Sequence, residues 1–541
     1  MMTIETMNNK EIWWKKYRYV KHKARLQLHL DAILWKSFKD NMREYVKQPS
    51  LSIISKLFGD GIRMTERLMW AVLFSLSCIL FGFYVAYLAI DNISNPLIVS
   101  LASTNYPISE IDFPAVAVCS INRISKEAVK IVARDIQGSS PYFRNALLED
   151  IEEFVKQTGR LLDFSYDDYF INHFEYLINS PNHATFDSDR VIGRMEQLAP
   201  NCSMLIQKCS WATFSINCNE LFTIRRTARG HCCVFNYVLE RNSAGSKESS
   251  NTVGFVKKQA LAGPHYGLGL VLDPIVNDYA YPVRSLEGFE LFIFDPSYYP
   301  DPSTGRIAHR TVQANEICYF QLHSTKQEAA PEVRKYPAHI RKCLFKDEKP
   351  EIYKDMYSYS ACLVQCRIKT FLKLCRCVPY FLPTDIQAPN CTLENLHCLN
   401  KFRDKFFYLF PRDRESSRGL EEELQDSLDC PDCLPDCEFT RYDLKSFWTP
   451  VEFAHYPNKA IEYEYQAGLN KKNVCVVMLY HPTLDGVLNR LDVVSYWYEM
   501  LSNVGGLAGM LVGFSLWSIV ETVYYFGRFF VVFWNNFKIY H

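Results

Sequence analysis

A row of small residues and one carboxylate distinguish the last apolar segment of this chain. Gly505, Gly509 and Gly513 recur every four positions, Ser502 begins the row, and the segment continues to Glu521. Residues three or four apart lie on one face of a helix. A stripe of small residues lets helices approach closely in lipid, so the stripe alone favours simple helix packing.

Glu521 indicates a different chemistry. An ionisable group inside an apolar segment is costly and faces a wet cavity or a partner. With the bare stripe, it indicates several copies of this helix around a water path, where backbone carbonyls replace part of a cation's hydration shell. Glu521 lies eight residues beyond Gly513, about 80° from the stripe on a straight helix. We therefore predict a helix break at 513–515, which glycine permits at little cost.

Two apolar segments are long enough to cross a bilayer. Residues 68–90 contain no charged side chain, and residues 497–534 are interrupted by very few. About 20 apolar residues span the hydrocarbon core, so the chain is predicted to be a membrane protein with two transmembrane helices. The second of these would carry the pore.

The charge distribution predicts which side each part occupies. Residues 1–67 contain 14 Lys and Arg against 7 Asp and Glu, although the whole chain has 60 of each. Basic flanks stay in the cytoplasm, so 1–67 and the tail 535–541 are expected there and 91–496 outside, at the plasma membrane. The overall balance gives no reason to expect a nucleic-acid partner.

The cysteines support an extracellular location for the central region. Eighteen of the 19 lie between the two spans, and so many are typical of disulfides in an oxidising compartment. Strand patterns at 112–122, 265–273 and 288–296, helical patterns at 146–164 and 358–375, and a polar loop at 241–252 predict a large, disulfide-rich mixed α/β domain there. The disulfide candidates are Cys119, Cys202, Cys209, Cys218, Cys232, Cys233, Cys318, Cys343, Cys362, Cys366, Cys375, Cys377, Cys391, Cys398, Cys430, Cys433, Cys437 and Cys475.

One proposed helix, 358–375, carries two of these cysteines on one side. Cys362 and Cys366 are four residues apart, so their bridges must reach a second segment. With Cys375 and Cys377, their expected partners are among Cys391, Cys398, Cys430, Cys433 and Cys437. The spacing CPDCLPDC also permits a zinc site, although an oxidised ectodomain favours disulfides. Asn201 and Asn390 begin sequons and are candidate glycosylation sites.

Several of these motifs resemble the degenerin/epithelial sodium channel family, in its pickpocket-like branch. The segments are YSYSACLVQCRIKTFLKLCRCVPYFLP followed by CPDCLPDCEFTRY, FPAVAVCSINR, CSWATFSINCNELFTIRRTARGHCCVFN, and LSNVGGLAGMLVGFSLWSIVE. The resemblance covers about residues 50 to 530. It implies a trimer of identical or related subunits that conducts sodium ions, is sensitive to amiloride and is gated through its extracellular domain.

The resemblance also implies roles for particular residues. They are a selectivity filter at Gly513, Phe514 and Ser515, an amiloride-contacting position at Gly509, a position that controls opening at Ser502, and an inner-pore acid at Glu521. Ahead of the first span the family usually has a His-Gly gating element, where this chain has Ile54 and Ser55. That departure predicts a difference in opening or assembly.

Other classes of protein compete with this interpretation. A receptor or adhesion ectodomain with two membrane anchors, a non-conducting modulatory subunit and an ATP-gated type of trimeric channel share the two-span plan. An enzyme is disfavoured because the sequence has no nucleophile–base pair motif, no HExxH and no phosphate-binding loop. No cofactor or metal is expected, and the gating stimulus is left open.

Overall fold

A computed structural model describes residues 34–47, 52–59, 61–139, 146–178, 186, 188–238, 256–348, 357–383, 388–411, 419–450 and 473–540. The chain divides into two units. One is formed by the two ends, 1–98 and 493–541, and the other by residues 99–492. The polar loop expected at 241–252 lies outside the described residues.

The first unit is helical. Its elements are α1 (34–47), α2 (Ser52–Phe58), α3 (Met64–Ser94), α16 (Trp497–Leu507), a π-helical turn (Ala508–Val512) and α17 (Leu516–Tyr540). Two helices are long and apolar enough to cross a membrane: Met64–Ser94, with mean hydropathy 2.1, and Leu516–Asn536, with mean hydropathy 1.3. None of the described side chains of α3 is buried, as expected for a helix that faces lipid.

The second unit contains two sheets. Their strands are β1 (Leu97–Pro107), β2 (Ala115–Ser120), β3 (Ile206–Trp211), β4 (Phe214–Ile216), β5 (Phe222–Thr227), β6 (Gly230–Phe235), β7 (Leu268–Leu272), β8 (Gly288–Phe294), β9 (Ala308–Gln313), β10 (Glu316–Ala329), β11 (Phe439–Pro450), β12 (Cys475–Tyr480) and β13 (Asp485–Val493). One sheet has the order β1-β13-β10-β12-β7-β3-β4 with β11 paired to β10, and the other β5-β6-β2-β8-β9. The predicted strands at 112–122, 265–273 and 288–296 are confirmed as β2, β7 and β8.

The second unit also contains helices of 4 to 17 residues. They are α4 (Lys126–Ser139), α5 (Leu148–Gln157), α6 (Arg160–Asp163), α7 (Asp168–Ile178), α8 (Val191–Leu198), α9 (Cys202–Leu205), α10 (Cys218–Leu221), α11 (Ala338–Arg341), α12 (Tyr359–Cys375), α13 (Leu396–Lys401), α14 (Arg403–Phe407) and α15 (Glu421–Leu424). The sequence predicted one helix over 146–164, but the structure divides it into α5 and α6. Gly159 lies between them, and a Cβ there would come within 2.5 Å of the Tyr281 ring.

The predicted cysteine-bearing helix is confirmed as α12. Ser358 caps its N-terminus by accepting a hydrogen bond from the Ala361 N–H, and the helix ends at Arg376 in the left-handed conformation, with φ 59°. Leu363, Val364 and Ile368 on its inner face are buried. This burial fixes the helix against an aromatic core and leaves its cysteines to face a second segment.

Eight disulfides cross-link the second unit. Four join α12 and the residues just after it to the predicted partners: Cys362–Cys433, Cys366–Cys430, Cys375–Cys398 and Cys377–Cys391. The other four are Cys343–Cys437, Cys119–Cys232, Cys202–Cys233 and Cys209–Cys218. Since every cysteine of CPDCLPDC is bridged, the zinc interpretation of that motif is wrong.

The disulfide prediction is wrong for two of the candidate cysteines. Cys318 and Cys475 are free thiols, both buried. Cys318 on β10 lies opposite Val477 of the parallel strand β12, so Cys475 is displaced from it by two residues along the strand. That diagonal separation exceeds the Cα spacing a disulfide allows. Burial, and then the charge of Glu316, raise the pKa of the Cys318 thiol to about 12.

Thiol counting tests this assignment. Full-length protein denatured without reductant is expected to take up three alkylating labels, at Cys78, Cys318 and Cys475. After reduction it should take up 19, and mass spectrometry gives both numbers. A single label before reduction would mean that Cys318 and Cys475 are bridged, which would contradict the register of β10 and β12.

Candidate pore segment

The second span is broken where the sequence predicted a break. Helix α16 passes into the π-helical turn Ala508–Val512, and Gly513 then takes the left-handed conformation with φ 74°. The Gly513 N–H donates to the Gly509 carbonyl at 3.1 Å, and the Phe514 N–H donates to the Ala508 carbonyl at 3.1 Å. Residues 513–515 are non-helical. π-Helical turns of this kind occur often at functional sites.

Ser515 and Ser518 restart the helix after the break. The Ser518 N–H donates to the Ser515 carbonyl at 3.0 Å, and the Ser515 N–H donates to Ser518 Oγ at 3.2 Å. Such reciprocal bonds satisfy donors that a new helix N-terminus would otherwise leave unpaired. The small polar residue after Phe514 therefore fixes where α17 begins.

Only two residues between 497 and 521 are buried within the chain. Helix α3 contacts the π-helical turn, where Ala508 is 9 % exposed, and Ser518 beyond the break is fully buried. The predicted stripe is exposed instead, together with both residues that follow it. These exposed residues are Ser502, Gly505, Gly509, Gly513, Phe514 and Ser515. The single chain thus leaves uncovered the face that the sequence assigned to the pore.

The structure of the single chain requires glycine at only one position of the stripe. A Cβ at Gly505 would meet nothing within 4 Å, and a Cβ at Gly509 would make ordinary contact with the Phe514 carbonyl at 3.7 Å. Gly513 differs because its φ is positive, and that conformation strains any residue that has a Cβ. Contacts within one subunit therefore do not explain why residues 505 and 509 are glycine.

The C-terminal part of α17 packs on α1, which the sequence analysis did not assign to the site. The Asn41 side-chain amide donates to the Tyr525 carbonyl at 2.9 Å, and that of Asn536 donates to Ser37 Oγ at 2.8 Å. Arg528 forms an ion pair with Glu44. The sequence did contain a pattern that could have indicated this contact, because Ser37, Asn41 and Glu44 have the i, i+4, i+7 spacing of one helix face.

Helix α1 buries two small polar side chains and exposes apolar side chains beside charged ones. Ser37 and Asn41 are almost completely buried, whereas Trp35 and Phe38 are exposed. An apolar helix face left open beside a membrane span is suited to lipid.

Glu521 on α17, the predicted inner-pore acid, is half-buried.

The two residues at the position of the family's His-Gly gating element lie on a short helix. Ile54 and Ser55 belong to α2, and the Gly59 N–H continues the helix by donating to the Ser55 carbonyl at 2.8 Å. The Arg67 guanidinium donates to the Gly59 carbonyl at 2.6 Å, and the Lys56 ammonium lies 3.9 Å from the centre of the Trp70 ring. These contacts tie α2 to the start of α3.

The two sequons differ in the structure. Asn201 is exposed and caps α9 by accepting from the Ser203 N–H. Asn390 is partly buried, and its side-chain amide donates to the Ser188 carbonyl at 2.7 Å. Of the two, Asn201 presents the more accessible acceptor. Among the described residues, no group of three His, Cys, Asp or Glu side chains is arranged to hold a metal ion.

A buried histidine gives the extracellular unit a pH-dependent stability. His481 is 2 % exposed and bonds to Ser324 Oγ at 2.8 Å and Gln259 Oε1 at 3.0 Å. Burial, and then the charge of His323, lower the pKa of His481 from 6.5 to about 4. The unfolded state therefore binds more protons below about pH 6.5, and stability present above that pH is lost as the pH falls toward about 4.

The thermal midpoint of the full chain should show this loss. Between about pH 6.5 and about pH 4 we expect up to ~1.4 kcal/mol of destabilisation per pH unit from His481. His481→Gln should flatten the profile in that window, and His265→Gln, at an exposed position, should not. Equal slopes in wild type and His481→Gln would contradict the assignment.

The fold and this segment together define a class of protein: a membrane channel subunit with two spans and a disulfide-rich domain between them. Comparison with known proteins gives the family. The profile of the amiloride-sensitive sodium channel family matches residues 45–525, and the chain belongs to that family. The predicted resemblance is thereby confirmed, as is the prediction that the protein is an ion channel subunit and not an enzyme.

Individual relatives agree with the family match. The sodium channel protein Nach of Drosophila ananassae is 25 % identical over 81 % of this chain and 77 % of its own length. Pickpocket protein 28 of Drosophila melanogaster is 23 % identical over 90 % of this chain and 78 % of its own. The bile acid-sensitive ion channel of Mus musculus is 22 % identical over 77 % and 74 %. The chain is therefore a cation channel protein of the membrane.

Proposed function

We propose that three copies of this chain, or copies with related subunits, form a sodium-preferring and amiloride-sensitive channel of the plasma membrane. Both termini lie in the cytoplasm, and a stimulus acting on the extracellular unit opens the pore. Gly513, Phe514 and Ser515 form the selectivity filter, Gly509 contacts amiloride and Glu521 is the inner acid. Ser502, Ile54 and Ser55 take part in gating.

One observation carries the proposal. The small-residue face of the second span is exposed in the single chain, and it ends at a helix break. The five exposed glycine and serine residues of this face have little or no side chain and offer a lipid-facing helix no packing advantage. Around a shared axis they would bring backbone carbonyls close to a permeating ion. The half-buried carboxylate of Glu521 follows on the inner side and favours cations.

Expression in oocytes, alone and with related subunits, tests the proposal. We expect an inward sodium current that amiloride blocks, and a changed sodium-to-potassium permeability ratio in Ser515→Ala. Ser75→Ala is the matched control because Ser75 is an exposed serine on α3. Surface-expressed protein that conducts in no combination would instead support a two-anchor receptor. A permeability ratio unchanged in Ser515→Ala would remove this residue from the filter.

A further inference from the structure

The second unit contains a cavity of about 780 Å³ that no pore role explains. Its volume lies within the range of sites that hold small molecules. Arg123, Arg229, Arg284 and Glu290 line one part of it, and Phe407 and Tyr408 line another. The cavity thus combines a charged wall with an aromatic one.

The charged wall has more cations than its carboxylate can neutralise. Glu290 is 1 % exposed and forms a buried ion pair with Arg123. Arg284 Nη2 lies 3.3 Å from Glu290 Oε1, and Arg229 Nε lies 3.9 Å from Glu290 Oε2. Three guanidinium groups therefore share one carboxylate, and His309 Nε2 lies 3.5 Å from the same group.

The other lining acids are engaged elsewhere. Asp301 forms a buried ion pair with Arg367, which lies outside the lining. Asp163 accepts hydrogen bonds from the Tyr281 hydroxyl at 2.9 Å and the Ser165 N–H at 2.9 Å. Asp404 follows Arg403 in the lining and offsets its charge. The surplus of positive charge is thus localised around Glu290.

Two of the arginines are placed to bind an incoming group. The Arg229 and Arg284 side chains are 33 % and 43 % exposed, whereas Arg123 is buried. Arg229 Nε is shielded from solvent and has no hydrogen-bond partner among the described residues. A guanidinium offers five donors in a planar fork that matches a carboxylate, and the contact with Glu290 leaves most of them unused.

The aromatic wall indicates what the rest of a ligand would be. Tyr408 is 63 % exposed and Phe407 is partly exposed, while Phe406 behind them is buried in the core. Exposed aromatic surface next to cations suits a molecule with an anionic head and an apolar body, since each part then has a complementary wall.

We propose that this cavity binds a small organic monocarboxylate, with its carboxylate on Arg229 and Arg284 and its apolar body against Phe407 and Tyr408. Each guanidinium donates charge-assisted hydrogen bonds to the carboxylate oxygens. Binding is independent of conduction, so this site goes beyond the proposed channel function and can be tested without a current.

The test uses purified full-length protein in detergent at constant ionic strength. Octanoate is titrated while the thermal midpoint and tyrosine and tryptophan fluorescence are followed. We expect saturable stabilisation, weakened about tenfold or more in Arg284→Gln and separately in Arg229→Gln. Arg441→Gln is the matched control because Arg441 is 65 % exposed in an ion pair outside the cavity, and it should bind octanoate like wild type.

Two further arms and one outcome of the octanoate titration separate the alternatives. Octanol in place of octanoate should not stabilise the protein, and equal stabilisation by octanol would overturn the role of the arginines. Sulfate giving the same saturable effect as octanoate would overturn the organic class of ligand. Octanoate affinity unchanged in both arginine variants would overturn the site itself, whatever the outcome of current recordings.

Discussion

Replacing Gly513 by alanine is expected to change the ion selectivity of the channel or abolish its current. Gly513 has φ 74° at the end of the π-helical turn, a conformation that costs a residue with a Cβ about 1–2 kcal/mol. That difference is a factor of about 5–30 in a conformational equilibrium. The backbone of residues 513–515 should therefore move away from the native turn, and the carbonyls that an ion would contact move with it.

The measurement is the sodium-to-potassium permeability ratio, with surface protein determined in the same cells. Gly82→Ala is the control, because Gly82 lies within α3 and a Cβ there would meet nothing within 4 Å. It should behave like wild type. A Gly513→Ala channel with normal current and an unchanged permeability ratio would show that the left-handed turn does not contribute to the filter.

Replacing Arg367 by methionine is expected to give the largest loss of stability in the extracellular unit. Arg367 on α12 is fully buried, its partner Asp301 is 5 % exposed, and Arg367 also bonds to Ser303 and lies 5.0 Å from the Phe406 ring centre. Removing one partner of a buried pair leaves the other charge uncompensated. The expected destabilisation is about 3–5 kcal/mol, measured as a fall in the thermal midpoint and in surface expression.

Two further variants test whether the loss of stability comes from breaking the buried ion pair. Arg441→Met removes an exposed ion pair with Asp443 and should cost less than about 1 kcal/mol. The double variant Arg367→Met with Asp301→Asn should recover part of the loss, because asparagine removes the stranded charge and still caps the turn at Ser303. If Arg367→Met melted like wild type, the pair would not be the anchor of α12.

Much of the architecture could be predicted from the sequence because its signals are local. An uncharged run of 23 residues, 68–90, is sufficient for a span, and α3 extends it at both ends to Met64 and Ser94. The positions of Cys362 and Cys366 one helical turn apart determine that their bridges reach a second segment. The break at 513–515 followed from the angle between Gly513 and Glu521.

Other features depend on how distant segments meet. Cys318 and Cys475 resemble the other extracellular cysteines in the sequence, and only the register of β10 against β12 separates their Cα atoms. The contact of α1 with α17 joins residues almost 500 positions apart, as from Asn41 to Tyr525. The cavity likewise gathers arginines from three separate loops and from α14. No pattern within one segment encodes these pairings.

The order in which the cysteines of residues 343–437 pair has a consequence for how the chain matures. The five bridges are concentric: Cys377–Cys391 lies inside Cys375–Cys398, inside Cys366–Cys430, inside Cys362–Cys433, inside Cys343–Cys437. Closing a loop costs less entropy when it is shorter, and each inner bridge shortens the path that the next must close. Oxidation from the centre outward therefore follows the entropically easiest route, and a newly made chain can complete this set without undoing an earlier bond.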